Sequence, residues 1–306
     1  MYATPEWQKG DTSLKEASQA INKIIDTALT KNTGALIGRQ GSIELEAVLT
    51  HVLSQGKNPL NSARQALLET NAGIFPVTDT TVMETWRIEY LDSLQNADAL
   101  AVGWFAQLAD LEQKLLKAVQ FSGIPIPLRT LEPYYLPKDL RWTKLFTGHR
   151  VTLVSSFTET MKAQLPNLKN GVWNGGDPTG ISDAASVEFV RSFYSPVCAE
   201  GNCEWPETVK NCIDAINYLE NQIVLTNPRF VLLGCGGIGM PLALRLKKRG
   251  IIAIVVGGAI QIFFGIKGKR WANHPIISGF WNDSWVEPST DEIPNGAKKV
   301  EGACYW

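Results

Sequence analysis

The sequence predicts an α/β fold, Rossmann-like, with a mainly parallel sheet and helices on both faces. Three observations predict it. Short apolar runs that read as buried strands alternate with stretches of helical periodicity, the order that builds parallel sheets covered on both sides. One of those strands, Phe230 to Leu233, runs directly into Gly234-Cys235-Gly236-Gly237-Ile238-Gly239, a strand-to-helix glycine turn. The 306 residues are 44% hydrophobic and 19% charged, enough apolar material for one large domain or two lobes. The expected division is an N-terminal α/β lobe over 1–145 and a C-terminal Rossmann-like lobe over 146–306, or one continuous domain.

Ser13 with Glu16 forms a capping box, and Leu14, Ala17, Ile21, Ile24 and Ala28 recur at helical spacing to about Lys31. Gly34 leads into a short strand, Ala35 to Ile37. A turn, Gly38-Arg39-Gln40-Gly41, then feeds a helix from Ser42 through Leu45, Val48, Leu49 and Val52. A further helix starts near Ser62, Asn71 to Thr78 reads as loop, and Asp79 caps a helix carrying Met83, Trp86, Tyr90, Leu91 and Leu94. Asp98 to Trp104 reads as strand, with a helix after it to about Gln120. Ile124 to Tyr135 is proline-bearing and extended. Arg150 to Phe157 is an apolar strand that enters a helix near Thr158. Residues 170–206, rich in Gly, Pro, Asn and Ser, give no clear periodicity. Pro206 sits where a first-turn proline belongs, ahead of Val209, Ile213, Ile216, Leu219 and Ile223. Met240 to Arg249 is helical and closed by Gly250 as a C-cap. Ile251 to Val256 is the last strand, in an apolar run that continues to Ile266 and reads as buried strand.

The net charge of −1 removes the electrostatic argument for a nucleic-acid binder, because neutralising phosphates needs a basic face. No apolar run reaches the roughly 20 residues that cross a bilayer. The start, MYATPEWQKGD, lacks the layout of a secretory leader, so the expected location is cytoplasmic. The five cysteines complete no zinc pattern, and the three histidines lie far apart. The ten tryptophans bury large areas and also form platforms on which sugars and bases stack.

The glycine turn allows two readings. Its amides and the following helix can hold a phosphate, or its glycines serve only the tight turn and the close helix–strand contact. A nicotinamide dinucleotide would require an acid at the end of the second strand to bind ribose, and that strand ends Val255-Val256-Gly257-Gly258-Ala259. Beyond it, Gly265-Ile266-Lys267-Gly268-Lys269-Arg270-Trp271 carries Lys267, Lys269 and Arg270. That segment suits a diphosphate, or is a solvated basic loop. The earlier turn places Arg39 beside Glu44. Together they can hold a nucleotide or its metal, while an acid in a helix's first turn is also favoured by the helix dipole alone.

The segment Ile37-Gly38-Arg39-Gln40-Gly41-Ser42-Ile43-Glu44 resembles the R-x-G-D-G-E stretch of the GT-D type glycosyltransferases, bacterial enzymes of surface-glycan and glycoprotein assembly. Their C-terminal strand, glycine turn, helix and Gly-ending strand resemble Phe230 to Gly258. The ending from Lys298 to Trp306, with the GIKGKRW stretch, looks like one branch of such proteins. The resemblance implies a Rossmann-like fold and a nucleotide-activated sugar donor, UDP-sugar favoured, with a glycan or glycoconjugate acceptor. It carries over Arg39, Gly41 and Glu44. The donor is then expected against Arg39, Gly41 and Ser42 on one side and Gly234, Gly236 and Gly258 on the other. Lys267, Lys269 and Arg270 are the alternative that neutralises the diphosphate without a metal. In the family a D-x-E pair lies beside the diphosphate and a divalent metal, Mn²⁺ or Mg²⁺. Here Ser42 replaces the Asp, so a metal held by Ser42 and Glu44 loses one carboxylate. Glu44 is a catalytic candidate beside the diphosphate. An inverting reaction also needs a base, and the candidates are Glu132, Glu159 and Glu301, with Glu301 the first choice. The glycine turn is then expected to bring the Lys267–Arg270 segment against the Arg39–Glu44 turn. The alternatives are an NAD(P)-dependent oxidoreductase and a catalytically silent nucleotide- or sugar-binding protein.

Overall fold

The computed structural model describes residues 12–53 and 60–306; the MYATPEWQKGD stretch read above for a leader lies outside them. Its frame is a seven-stranded sheet, every pairing parallel, in the order β3-β2-β1-β7-β6-β4-β5. The strands are β1 (Ala35–Arg39), β2 (Ala99–Ala101), β3 (Ile124–Ile126), β4 (Arg150–Ser155), β5 (Ser186–Arg191), β6 (Phe230–Leu233) and β7 (Ile252–Val255). Residues 1–145 contribute β1 to β3 and residues 146–306 contribute β4 to β7. They join at the β1–β7 ladder, where Ala35 pairs with Ile252 and Ile37 with Ile254.

Side chains alternate across these strands with a period of two, so each strand feeds two cores. Ile37, Leu153, Leu232 and Ile254 point to one face, Leu36, Val154, Val231 and Ala253 to the other, all fully buried. The first face is covered by α1 (Thr12–Lys31) and α6 (Thr158–Gln164), and by α10 (Ala259–Phe263) and α11 (Lys269–Ala272) near the C-terminus. The second is covered by α2 (Ser42–Leu53), α3 (Ser62–Thr70), α4 (Thr80–Gln95), α5 (Ala109–Ala118), α8 (Cys212–Leu225) and α9 (Gly239–Lys248). A short helix, α7 (Pro196–Ala199), lies between β5 and α8. The arrangement follows from the right-handedness of parallel crossovers. Connections that step one way along the sheet, such as β1 to β2 and β6 to β7, place their helices on one face, and those stepping the other way, such as β4 to β5, on the opposite face.

Several elements depart from the sequence reading. Arg39 is the last residue of β1 rather than part of the turn. Residues 170–206 contain β5, an edge strand with much of its surface half-exposed, which weakens its apolar signature. Pro206 does not begin α8. The Asn211 side chain caps that helix instead, accepting from Ile213 and Asp214 at 2.9 Å each, while Val209 closes a turn onto the Pro206 carbonyl. The apolar run after β7 is helical over α10, because Gly257, at φ +60°, ends the strand and turns the chain over the sheet. The basic segment after it carries a helical turn, α11.

Candidate functional site

Parallel sheets collect their loops at the strands' carboxyl ends, and here those ends line one cavity of about 1060 Å³. That is at the upper limit of the roughly 300–1,000 Å³ usual for small-molecule sites. β1 delivers Arg39, Gly41, Ser42 and Glu44 to it; β6 delivers Gly234 and Gly236; and β7 delivers Gly257 and Gly258. Arg270, Glu301 and Tyr305 close it from the C-terminal segment, and Arg129 and Glu132 form part of a further wall.

Glycines decide how closely the two turns approach. The Glu44 carboxylate folds back over the start of α2 and occupies the space a Cβ on Gly41 would need. A Cβ on Gly237 would meet Glu44 Cγ at 3.1 Å, so the glycine turn seats directly on the Glu44 side chain. A Cβ on Gly257 would meet Arg39 Nη1 at 3.3 Å. Gly237 thus joins the glycine turn to the β1 turn, and Gly257 seats the end of β7 on Arg39.

An amide at the centre of the glycine turn is otherwise engaged. Gly237 donates its N–H to the Ala72 carbonyl at 2.8 Å, and Gly236, at φ +62°, packs so closely that a Cβ would meet the same oxygen at 2.6 Å. Trp86 Nε1 donates to the Gly237 carbonyl at 3.0 Å. The loop carrying Ala72 thus fills the place where a dinucleotide's pyrophosphate would receive the Gly237 amide. Gly234 sits against Ile260 and the Gly257 carbonyl. Close packing accounts for all of these glycines.

Arg39 lies over the Trp104 ring, 4.4 Å from its centroid, which holds the guanidinium at the cavity wall. Burial raises the Glu44 carboxyl above its ordinary value. Its own backbone N–H and Arg39 oppose that shift, and Glu301 adds to it. Burial raises Glu132 as well, against Arg129, Tyr134 and, more weakly, Arg39. Arg39 therefore acts electrostatically on both carboxylates. Glu132 pairs with Arg129 at 2.9 Å, and Tyr134 donates its hydroxyl to the other carboxylate oxygen at 3.1 Å. Behind the β1 turn, the buried Glu112 accepts from Gln40 Nε2 at 2.9 Å and from the Gly103 amide at 2.6 Å, joining the loop after β1 to the loop after β2.

The remaining candidates separate. Arg270 reaches the cavity, donates to the Tyr305 hydroxyl at 3.0 Å and pairs with Glu301. Burial pushes the Tyr305 phenol up to about 12, so it stays protonated. Lys267 and Lys269 lie outside the cavity lining. Lys267 faces Trp281, 5.7 Å from its ring centroid, and Lys269 is exposed. Of the three cations in that segment, only Arg270 faces the site. Glu159 is exposed on α6, pairs with Lys162 at 2.7 Å and lines no part of the cavity. Ser42 and Glu44 both line it, but among the described residues no group of three or more His, Cys, Asp or Glu side chains gathers as a metal nest. A divalent ion would find one carboxylate and one hydroxyl, short of a protein-held site.

Trp104, Arg129, Gln261, Trp271, His274 and Tyr305 also line the cavity and were not singled out from the sequence. Trp104 follows an apolar strand, a position from which it could have been found. The others come from short helical turns and irregular segments whose burial depends on distant chain.

No family model matches the chain, and no curated protein does. The chain is similar to two solved structures of a domain of unknown function, DUF1792. The first is described by the words "The highly conserved domain of unknown function 1792 has a distinct glycosyltransferase fold". It is 12% identical, with a TM-score of 0.45, over 92% of this chain and 95% of that one. The second, a selenomethionine-substituted structure of DUF1792, is 12% identical, with a TM-score of 0.44, over 90% of this chain and 95% of that one.

Proposed function

We propose that the protein is a glycosyltransferase that binds a nucleotide-activated sugar, UDP-sugar favoured, and passes the sugar to a glycan or glycoconjugate acceptor. The observation that carries the reading is the convergence of Arg39 and Arg270 with three cavity-lining carboxylates, Glu44, Glu132 and Glu301, in one large cleft at the sheet's carboxyl edge. The resemblance of the Arg39–Glu44 segment to the GT-D motif points the same way.

Sugar transfer breaks the bond between the anomeric carbon and a diphosphate oxygen through an oxocarbenium-like state. Negative charge grows on the leaving diphosphate, and fixed cations in a cleft stabilise it. Arg39, held on Trp104, and Arg270, held by Tyr305 and Glu301, are the two cavity arginines on the turn side that supply this countercharge. The amides at the start of α2 add a partial positive end beside Ser42. A divalent ion, if bound with the donor, would be held on the protein side by Glu44 and Ser42 and would supply further countercharge to the leaving diphosphate.

The dinucleotide alternative loses support on two counts. No acid follows β7, and the Ala72 carbonyl takes the glycine-turn amide that a pyrophosphate would use. Isothermal titration with UDP, GDP and the corresponding sugar nucleotides, with and without Mn²⁺, tests the proposal. Binding of at least one nucleoside diphosphate is expected; no binding to any of them sinks it. Binding without release of nucleotide from any sugar nucleotide would indicate the silent binding protein instead.

A further inference from the structure

One wall of the cavity carries a set of hydrogen-bonding groups that the diphosphate countercharge leaves unused. They form a continuous run. Glu132 pairs with Arg129, and Arg129 acts electrostatically on His274. His274 stacks edge-on against Trp271, with ring centroids 6.3 Å apart. The Trp271 amide bonds to Gly268, which packs against the Gln261 side-chain amide. All five side chains line the cavity.

The chemistry of this wall is specific. Gln261 is fully buried, and its Nε2 donates at 2.8 Å to both the Lys267 and the Tyr305 carbonyls. That fixes the amide's orientation and leaves Oε1 as a buried acceptor with no donor among the described residues. Trp271 is 5% exposed, and its indole N–H has no acceptor among the described residues. His274 Nδ1 accepts from the Ile276 and Ile277 amides at 3.3 and 3.2 Å, and burial, with Arg129, keeps the ring neutral. Its hydrogen is therefore on Nε2. A buried donor without an acceptor and a buried acceptor without a donor, both on residues that line this cavity, cost free energy unless a ligand supplies both functions. A hydroxyl does so, since one O–H donates and accepts. Several hydroxyls in a row describe a saccharide.

We propose that this wall is the acceptor subsite, binding a hydroxyl-rich saccharide against Gln261, Trp271 and His274, and that Glu132 takes the proton of the attacking hydroxyl. The assignment rests on the glycosyltransferase reading. In the transfer step the acceptor oxygen forms a bond to the anomeric carbon, the bond from that carbon to the diphosphate oxygen breaks, and the electron pair leaves with the nucleoside diphosphate. The hydroxyl proton passes to a Glu132 carboxylate oxygen. Glu132 suits this role because it is held from two sides, by Arg129 and Tyr134, and faced by Arg39. It is also a stronger base than an exposed glutamate, since burial raises its pKa.

The test uses the full chain, with UDP-glucose and UDP-N-acetylglucosamine as donors, p-nitrophenyl glycosides or water as acceptors, and UDP release as the readout. Glu132→Gln should bind UDP within about threefold of wild type yet lose UDP release by roughly 100-fold or more. The acidic limb of its kcat/KM profile should vanish as well. Trp271→Phe should raise the KM for the glycoside about fivefold, the loss of one hydrogen bond, with kcat within about twofold. Unchanged UDP affinity also reports that both variants are folded. Glu132→Gln releasing UDP at the wild-type rate, or Trp271→Phe leaving the glycoside KM unmoved, overturns the assignment while leaving the donor reading intact. Wild-type protein that binds no nucleotide, or never releases UDP, overturns the transferase reading and this assignment with it.

Discussion

At the scale of single residues, the site is governed by two groups whose settings differ from those of a surface side chain. Arg39 is held over Trp104 by its flat guanidinium, a contact a lysine ammonium makes less well. Arg39→Lys should therefore weaken UDP binding roughly tenfold, about 1.4 kcal/mol, in the same titration that tests the function. An affinity equal to wild type would show that Arg39 does not grip the ligand. Glu44 carries a cost. Burial raises its folded pKa above the ordinary 4.5, so the folded protein holds that proton at pH values where the unfolded chain has released it. Stability from this group is greatest below about pH 4.5 and falls as pH climbs through the folded value. Glu44→Gln, which keeps the shape and discards the charge, should melt at a higher temperature than wild type at pH 8, with the gap closing by pH 4. A wild-type protein that is the more stable at pH 8 would show the carboxylate to be compensated in the fold. Arg39 and Glu44 were both legible in the sequence, since a strand-to-helix turn displays them wherever the fold goes. Trp104's stacking was not, because it depends on β1 and β2 lying side by side.

At the scale of elements, the strand–turn–helix units were the clearest part of the sequence, and the glycine turn the most easily misread. Phe230 to Leu233, the six-residue turn and α9 follow local rules: apolar run, backbone freedom, helix formers. What the turn does with its amides is not local. Ala72, some 160 residues earlier, supplies the carbonyl that binds it. Gly236→Ala tests this directly. The new Cβ would have to adopt a positive φ and approach the Ala72 oxygen, costing on the order of 1–3 kcal/mol in urea unfolding. A variant as stable as wild type would mean that the loop yields freely. The elements that sequence misplaced share a cause. Asn211 rather than Pro206 starts α8, because a side chain that accepts two amides outcompetes a proline whose fixed φ suits a turn as well as a helix. β5 was hidden because an edge strand buries less than its neighbours. α10 was hidden because a wholly buried segment has no polar side from which to read a period.

At the scale of the whole molecule, the seven strands end in one cavity, so binding of a ligand there is coupled to the stability of the entire sheet. UDP at about 100 times its dissociation constant should stabilise the fold by roughly 2.7 kcal/mol, read as a rise in melting temperature that Arg39→Lys diminishes. No rise at saturating nucleotide would contradict binding to the native fold. Among the described residues no helix is long and apolar enough to cross a membrane, in agreement with the absence of a spanning run in the sequence. The sequence by itself determined the α/β class, the parallel sheet and the existence of the two strand-to-helix turns, because apolar periodicity and glycine placement are local consequences of residue chemistry. Only the tertiary structure decided which charged residues meet. It placed Arg270 in the cleft and left Lys267 and Lys269 outside, set Glu132 in the cavity wall and Glu159 on the surface, and gathered Gln261, Trp271 and His274 into one polar wall. Those outcomes depend on where irregular segments come to rest against a sheet assembled from distant parts of the chain. No pattern within a few residues encodes that.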